Sequence, residues 1–315
     1  MIDRIVVTLS LSGGEVLRPE DFQNVYRVRY FGTGQWEGKI KGLPIELRVE
    51  RDSLRVTANL PKLIQKQNVS PLNRHQIKMA TELLSGYLET NLDRATVRSL
   101  EIGSTIIVKE FPARYFRLFG CHATLTRNSY VQAGKNTGVS YTSRYGFWAF
   151  KFYDKTAEVR SKRKPMPIPP LFQGENLLRL ELKVKRKGIQ TCTGGDIFLE
   201  NLHDPDTYGK LKNFFYEKYQ QIPKVGRDFY LDGGEGKRMT YKDLISLFCK
   251  SYGDLYPDEV ADFLVTLRSR ELLSKRDYRN FRKFINSDTV GRVRSTPDDL
   301  IREIDGRVSD WVQTG

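Results

Sequence analysis

Residues 176–185, NLLRLELKVK, alternate without a break. Leu178, Leu180, Leu182 and Val184 fall on one face of an extended chain, and Arg179, Glu181, Lys183 and Lys185 on the other. A one-residue slip would turn every apolar side chain toward water, so burial sets the register of such a strand in its sheet. Two more segments share this property. In 97–108, Leu100, Ile102 and Ile106 oppose Ser99, Glu101, Gly103 and Thr105. In 148–154, Trp148, Phe150 and Phe152 oppose Ala149, Lys151 and Tyr153. If one sheet holds all three, their apolar faces coincide and so do their polar faces. That gathers Glu101, Glu181, Tyr153, Lys151 and Arg179 on one surface.

Two carboxylates on such a surface are oxygen ligands suited to Mg²⁺ or Mn²⁺, and a metal there would polarise a phosphodiester. Tyr153 lies between Lys151 and Lys155 in sequence. Flanking cations favour a phenolate, which makes Tyr153 a candidate nucleophile. A plainer assignment fits the same spacing: Glu101 and Glu181 pair across strands with Arg179 and Lys183, and Tyr153 packs. The spacing leaves both open.

The charge balance narrows the partner. Among 315 residues, 52 Lys and Arg face 38 Asp and Glu, a net charge of +14, which favours a polyanion such as nucleic acid. Hydrophobic residues at 39% and charged residues at 29% are those of a water-soluble chain with a sizeable core. No stretch approaches the roughly 18 apolar residues of a membrane span, and the short alternating N-terminal run reads as a strand rather than a signal peptide. Cys121, Cys192 and Cys249 form no metal-binding spacing and suit a reducing cytoplasm. His75, His122 and His203 are isolated, so the His-x-His metal pair of many nickases is absent. There is no phosphate-binding GxxxxGK[ST] loop, hence no sign of a built-in helicase or ATPase.

The order of patterns predicts an α+β fold with a curved, mainly antiparallel sheet. Strands are expected at 2–11, 24–31, 36–40, 43–50 and 54–58, followed by a helix over 73–89 capped by Asn73, with Ile77, Ala80, Leu83, Leu84 and Leu88 on one face. A similar succession follows: a strand over 95–108, a short helix from Pro112 to Phe119, strands near 125–132, 138–142 and 147–153, a helical piece from Lys155, an extended crossover at 164–170 and the strand 176–185. The two halves therefore read as similar strand-plus-helix units. A helix over 206–220 carries Leu211, Phe214, Phe215, Lys218 and Tyr219 in one stripe. Residues 1–225 form the expected first domain, 226–239 a glycine-rich linker, and 240–315 a helical C-terminal domain with helices at 240–251, 257–268, 274–285 and 297–311. The basic run 268–283 suits a helix-turn-helix or a solvated face.

Several segments together are similar to the rolling-circle replication initiators of phages and plasmids, of the gene II/gene X type. They are MIDRIVVTLSL at the start, ANLPKLIQ at 58–65, RSLEIGSTIIV followed by FPARYFRLFG, the hairpin SYTSRYGFWAFKFYDKTAEVR, and NLLRLELKVKR. The resemblance covers residues 1–225. It implies a metal-dependent nickase that cuts one strand of a double-strand origin, stays joined to the 5′ phosphate through a tyrosine, and later rejoins the strand. The family's R-x-Y-x-K strand maps onto Lys151, Tyr153 and Lys155, its acidic strand position onto Glu101, and its R-x-E strand onto Arg179 and Glu181. Its Gly-Ser-Arg appears as Thr142, Ser143 and Arg144, and Tyr145 and Tyr141 are alternative nucleophiles. Arg114, Arg117, Arg127, Lys135, Arg144, Lys162, Arg163 and Lys164 are candidate DNA contacts. The implied setting is the cytoplasm of a bacterial host. The implied partner is origin DNA, duplex and single-stranded, with a host helicase and polymerase and no membrane; monomer and dimer both stay open. The competing expectation is a non-catalytic origin-binding or other DNA-binding protein on the same fold.

Overall fold

A computed structural model describes residues 2–11, 16–116, 118–120, 124–132, 135–161, 167–224 and 299–314, and short stretches between the last two (229–230, 265, 268–269, 274–276, 278–280 and 294–295). The fold is α+β, built on one ten-stranded antiparallel sheet. Its strands are β1 (Ile2–Ser10), β2 (Val25–Gly32), β3 (Gln35–Ile40), β4 (Ile45–Glu50), β5 (Ser53–Asn59), β6 (Thr96–Val108), β7 (Leu125–Gln132), β8 (Lys135–Ser143), β9 (Trp148–Asp154) and β10 (Asn176–Lys185). Their order across the sheet is β2-β3-β4-β5-β1-β6-β10-β9-β8-β7.

That order is a duplication. Outward from the centre, one half reads first, fifth, fourth, third, second strand (β1-β5-β4-β3-β2), and the other half repeats it (β6-β10-β9-β8-β7). The two first strands pair antiparallel in the middle. In each half a helix leaves the end of the fifth strand at once: α1 (Leu60–Gln65) after β5, and α5 (Arg186–Thr193) after β10. A short helical turn also separates first from second strand in each half, Pro19–Asp21 in one and α3 (Pro112–Tyr115) in the other.

One face of this sheet is the core. On β4, β5, β9 and the second half of β10 burial follows the two-residue period, with Leu47, Val56, Phe150, Phe152, Leu180 and Leu182 at 2% exposure or less. Each such side chain contributes about 1.5–3 kcal/mol. Helices cover that face. α6 (Pro205–Gln220) sets Phe215 4.9 Å and Tyr219 6.3 Å from the Phe150 ring, and α5 packs on β6 and β10. A Cβ at Gly188 would lie 2.7 Å from Val184 Cγ1, so glycine lets α5 sit this close. α2 (Arg74–Leu88) starts with the expected cap: Asn73 Oδ1 accepts from Gln76 N at 2.9 Å, and Gln76 Oε1 accepts from Asn73 N at 3.0 Å. Its buried stripe is Ile77, Ala80, Thr81, Leu84 and Leu88; Leu83, expected on that stripe, is 40% exposed and turns outward.

Other expectations are corrected. The sequence pattern does not show α1 and α5, because both are short and follow directly on a strand, although Asn59 caps α1 by accepting from the Lys62 amide at 3.1 Å. Residues 229–230, expected in a linker, form a strand paired with 294–295. The chain divides into two compact units, residues 1–223 with 303–315, and residues 224–302. The last helix, α7 (Asp299–Thr314), was grouped by sequence with the C-terminal helices, yet from Glu303 onward it belongs to the first unit. Glu303 accepts from the Tyr115 hydroxyl at 2.6 Å and the Lys109 amide at 3.0 Å, and Trp311 meets Phe215 at 4.9 Å. The expected helices at 240–251 and 257–268, most of 274–285, and a helix-turn-helix fall largely outside the described residues.

Candidate functional site on the open face of the sheet

The sheet's other face carries the polar residues, and its centre is where β6, β10 and β9 run side by side. Register fixes the arrangement. Arg179 sits opposite Thr105 on one side and Tyr153 on the other. Glu181 sits between Gly103 and Lys151, and Lys183 between Glu101 and Ala149. Glu101 and Glu181 are therefore diagonal neighbours, as the shared-face argument requires.

The Tyr153 hydroxyl is 3.3 Å from Glu181 Oε2, and Lys151 Nζ is 3.3 Å from Glu181 Oε1. These groups line a cleft of about 370 Å³ with Tyr130, Thr137, Asp154, Glu158 and Ser161. Opposite Tyr153, a Cβ at Gly138 would stand 2.9 Å from Tyr153 Cβ, so glycine there keeps room for the ring.

The electrostatics follow from burial and crowded carboxylates. Burial first, then the charge of Glu181, raises the pKa of Glu101 against the opposing pull of Lys151, Lys183 and Arg4. For Lys151, burial disfavours the ammonium, but Glu181 and Glu101 outweigh it and its pKa is raised. Tyr153 is raised well above its usual value by burial and then by Glu181 and Glu158. This corrects the expectation that flanking cations favour a phenolate: Lys151 is engaged by Glu181, and Lys155 by other partners. At neutral pH Tyr153 is a phenol whose proton faces a carboxylate.

Arg179 and Lys155 are placed differently from the expectation. Arg179 is on the predicted face but fully buried. It is ion-paired with Asp3 and donates to Thr105 Oγ1 at 2.8 Å, and burial lowers its pKa to about 10, still charged at neutral pH. Lys155 leaves the strand and begins α4 (Lys155–Arg160). It too is fully buried, with Nζ 2.5 Å from Glu158 Oε2 and 3.0 Å from Asn68 Oδ1, and 5.8 Å from the Tyr153 ring centroid. It supports the tyrosine from beneath rather than facing solvent beside it.

Asp3 is a residue that the pattern missed. β1 shifts register against β6 between Ile2 and Arg4, and this bulge brings Asp3 toward the polar face beside Arg4. A Cβ at Gly103 would lie 2.8 Å from Arg179 Cζ, so Gly103 makes the space in which Asp3 and Arg179 meet. An acid inside the apolar opening run was the available signal, but a bulge has no sequence signature of its own. Asp3 Oδ1 is buried without a hydrogen-bond partner.

The remaining candidates lie elsewhere. Tyr141 is fully buried on the apolar face, and its hydroxyl donates to the Gly120 carbonyl at 2.6 Å. Arg127 sits opposite Tyr141, 3.3 Å from that hydroxyl, on the apolar side of the sheet. Arg144 and the exposed Tyr145 occupy the turn between β8 and β9, with the guanidinium 5.7 Å from the ring. That turn is near Trp148, and Tyr153 is about 17 Å further along β9 at a strand's rise per residue. Arg114 is exposed and pairs with Glu110 at 2.9 Å. Lys135 starts β8, but its side chain is outside what is described, as are Arg117, Lys162, Arg163 and Lys164. Among the described residues, no three His, Cys, Asp or Glu side chains group as a metal site. No described helix is long and apolar enough to cross a membrane.

No protein-family model matches this chain, and no curated protein does. A solved structure similar to it is a rolling circle replication initiator protein from Geobacillus stearothermophilus, at 11% identity and a TM-score of 0.40, covering 82% of this chain and 96% of that one. A likeness of that strength says nothing about which residues act.

Proposed function

We propose that this chain initiates rolling-circle replication of a phage or plasmid by nicking one strand of origin DNA in the bacterial cytoplasm. The observation that carries the reading is the Tyr153–Glu181–Lys151 chain in an open cleft. The tyrosine oxygen attacks phosphorus, its proton passes to Glu181, the bond from phosphorus to the 3′ oxygen breaks, and that oxygen takes a proton from water. The products are a 5′-phosphotyrosine and a 3′ hydroxyl, and the reverse step rejoins the strand. Glu181 is needed because a phenol with a raised pKa does not ionise unaided. Lys151 holds Glu181 in place and supplies positive charge beside the phosphate.

Glu101 and Glu181 would hold Mg²⁺ or Mn²⁺. Their oxygens are hard donors, two carboxylates with water suffice for Mg²⁺, and Glu101 is under-compensated by its neighbours. The ion would polarise the scissile phosphodiester. Arg179 and Asp3 act as the floor of this site, since neither reaches a phosphate without breaking a buried ion pair.

The test is supercoiled plasmid carrying the chain's own gene, incubated with Mg²⁺ or Mn²⁺. Wild type is expected to give open circles with protein attached. Tyr153→Phe gives none, and Glu181→Gln is slower by about 10²–10⁴-fold. Nicking by Tyr153→Phe at the wild-type rate refutes the assignment. The raised pKa of Tyr153 also favours a second reading, a DNA-binding protein that does not cleave; it gains if wild type binds this DNA and leaves it supercoiled.

A further inference from the structure

The duplicated sheet has a second polar face, in the half without Tyr153. On β2 to β5 and β1 this face carries Arg27, Arg29, Lys39, Arg48, Arg55 and Arg4 against Glu37, Glu46 and Glu50. On its polar side the fifth strand of one half (β10) presents Arg179, Glu181 and Lys183, whereas its counterpart β5 presents Ser53, Arg55 and Thr57. The fourth strand β9 presents Lys151 and Tyr153, whereas β4 presents Glu46, Arg48 and Glu50. No tyrosine stands on the polar side of β4 or β5, so this half has no nucleophile at the matching place. What it has is cations.

They converge on a cavity of about 250 Å³ lined by Arg27, Lys39, Arg48, Arg55, Glu37 and Glu46, with Thr57 at its side. Two of the three acids are already engaged: Lys39 holds Glu46 at 2.5 Å, Arg4 reaches Glu46 at 3.7 Å, and Arg48 holds Glu50 at 3.0 Å, while Glu37 stands opposite Arg29 and Arg48 in the ladder. Arg27, Arg29 and Arg55 take part in no ion pair among the described residues, and Arg55 Nε is buried without a hydrogen-bond partner. A cavity that collects guanidinium donors and leaves one of them unsatisfied is matched by phosphate oxygens.

We infer that this face grips the phosphate backbone of double-stranded DNA. The spread of the cations over four strands argues for duplex over single strand. Phe31 lies under the Arg48 guanidinium at 4.8 Å and Tyr26 beside that of Arg27 at 5.5 Å, while Tyr30 pairs opposite Trp36 and shares its side of the sheet. The face thus offers forked donors, with the partly exposed rings of Tyr26 and Phe31 beside guanidinia rather than in a continuous stacking track of the kind single-strand sites use. From β2 to β5 is three strand spacings, about 14 Å, comparable to the ~12 Å width of a major groove between its phosphate walls. The choice of DNA over RNA rests on the nicking reading; the phosphate grip does not.

The test is equilibrium binding of the full chain, without divalent metal, to a fluorescent 20-base-pair DNA duplex over a salt series. The variant is Arg27→Gln/Arg48→Gln/Arg55→Gln. Each lost phosphate contact flattens the plot of log K against log salt by about 0.9, so the triple variant should lose about 2–3 from its slope and bind at least tenfold more weakly at physiological salt. Arg55→Lys keeps the slope, since the charge remains. Tyr153→Phe binds like wild type, which separates this inference from the nicking reading. If the triple variant melts early, Arg27→Gln, an exposed change, is read alone and should lose about 1 from the slope. Unchanged slope and affinity in the triple variant overturn the inference. So does loss of binding confined to single strands, or an RNA duplex of the same sequence bound more tightly than the DNA.

Discussion

Replacing Asp3 by Asn should destabilise this protein strongly, although the residue is third in the chain. Asp3 is 3% exposed and its partner Arg179 is fully buried. Asp3→Asn leaves a buried guanidinium without its ion-pair partner, and breaking a buried pair from one side costs about 3–5 kcal/mol. Thr105 still accepts one of the guanidinium's hydrogen bonds, which favours the lower end. Removing both charges is different. In Asp3→Asn/Arg179→Met an aliphatic chain fills the space over Gly103, and replacement of a buried pair by apolar groups is close to neutral. The measurement is urea unfolding followed by far-UV circular dichroism for wild type, both single variants and the double. The coupling energy of the cycle should be about 2 kcal/mol or more, with the double variant more stable than Asp3→Asn. If Asp3→Asn costs less than about 1 kcal/mol, as exposed ion pairs do, the pair is not the buried tie described here.

Glu101→Gln should stabilise the fold at pH 7 while abolishing metal-dependent nicking. The sign follows from linkage: the folded state raises the Glu101 pKa above 4.5, so its ionisation costs stability as pH rises through that folded value. Below pH 4.5 wild type and variant should unfold at the same urea concentration, and a variant advantage that persists there contradicts the assignment. Gly103→Ala should cost about 1–3 kcal/mol, because its methyl displaces Arg179 from Asp3. It should also lower nicking, and a variant with wild-type stability would show that the pair tolerates the shift.

The alternation of 97–108, 148–154 and 176–185 was enough to place Glu101, Glu181, Lys151 and Tyr153 together, because a half-buried strand has no freedom in which side chain faces the core. The Asn73 cap and the aromatic stripe of 206–220 were legible for the same local reason. The pattern failed where one face is not wholly wet. Arg179 obeys the parity of its strand yet is buried, since an acid from another strand, moved by a bulge, meets it there. Lys155 opens the expected helix, where Asp154 Oδ1 accepts from the Ala157 amide at 2.8 Å, but its burial against Asn68 and Glu158 has no local signal. The protonation of Tyr153 was beyond sequence because it depends on which carboxylate each lysine reaches. The last helix was misassigned because Glu303, Asp305 and Trp311 find their partners nearly two hundred or about ninety residues back along the chain.

The duplication explains why a single sheet can carry two different polar surfaces. The strand order and the apolar face are common to both halves, and they alone fix register and hold helices. Polar-face residues project away from that core, so a change there costs little stability unless the residue is buried, as Arg179 is. One half sets a phenol on its fourth strand and carboxylates on its fifth and first, and the other sets guanidinia on its fourth and fifth. β1 and β6 lie between them and share Arg4, whose charge lowers the cost of ionising Glu101 and whose guanidinium reaches Glu46. The candidate chemistry and the candidate grip are thus neighbours on one continuous sheet. Substitutions that repack the common apolar face should disturb both, whereas Arg55→Gln and Tyr153→Phe should each disturb one.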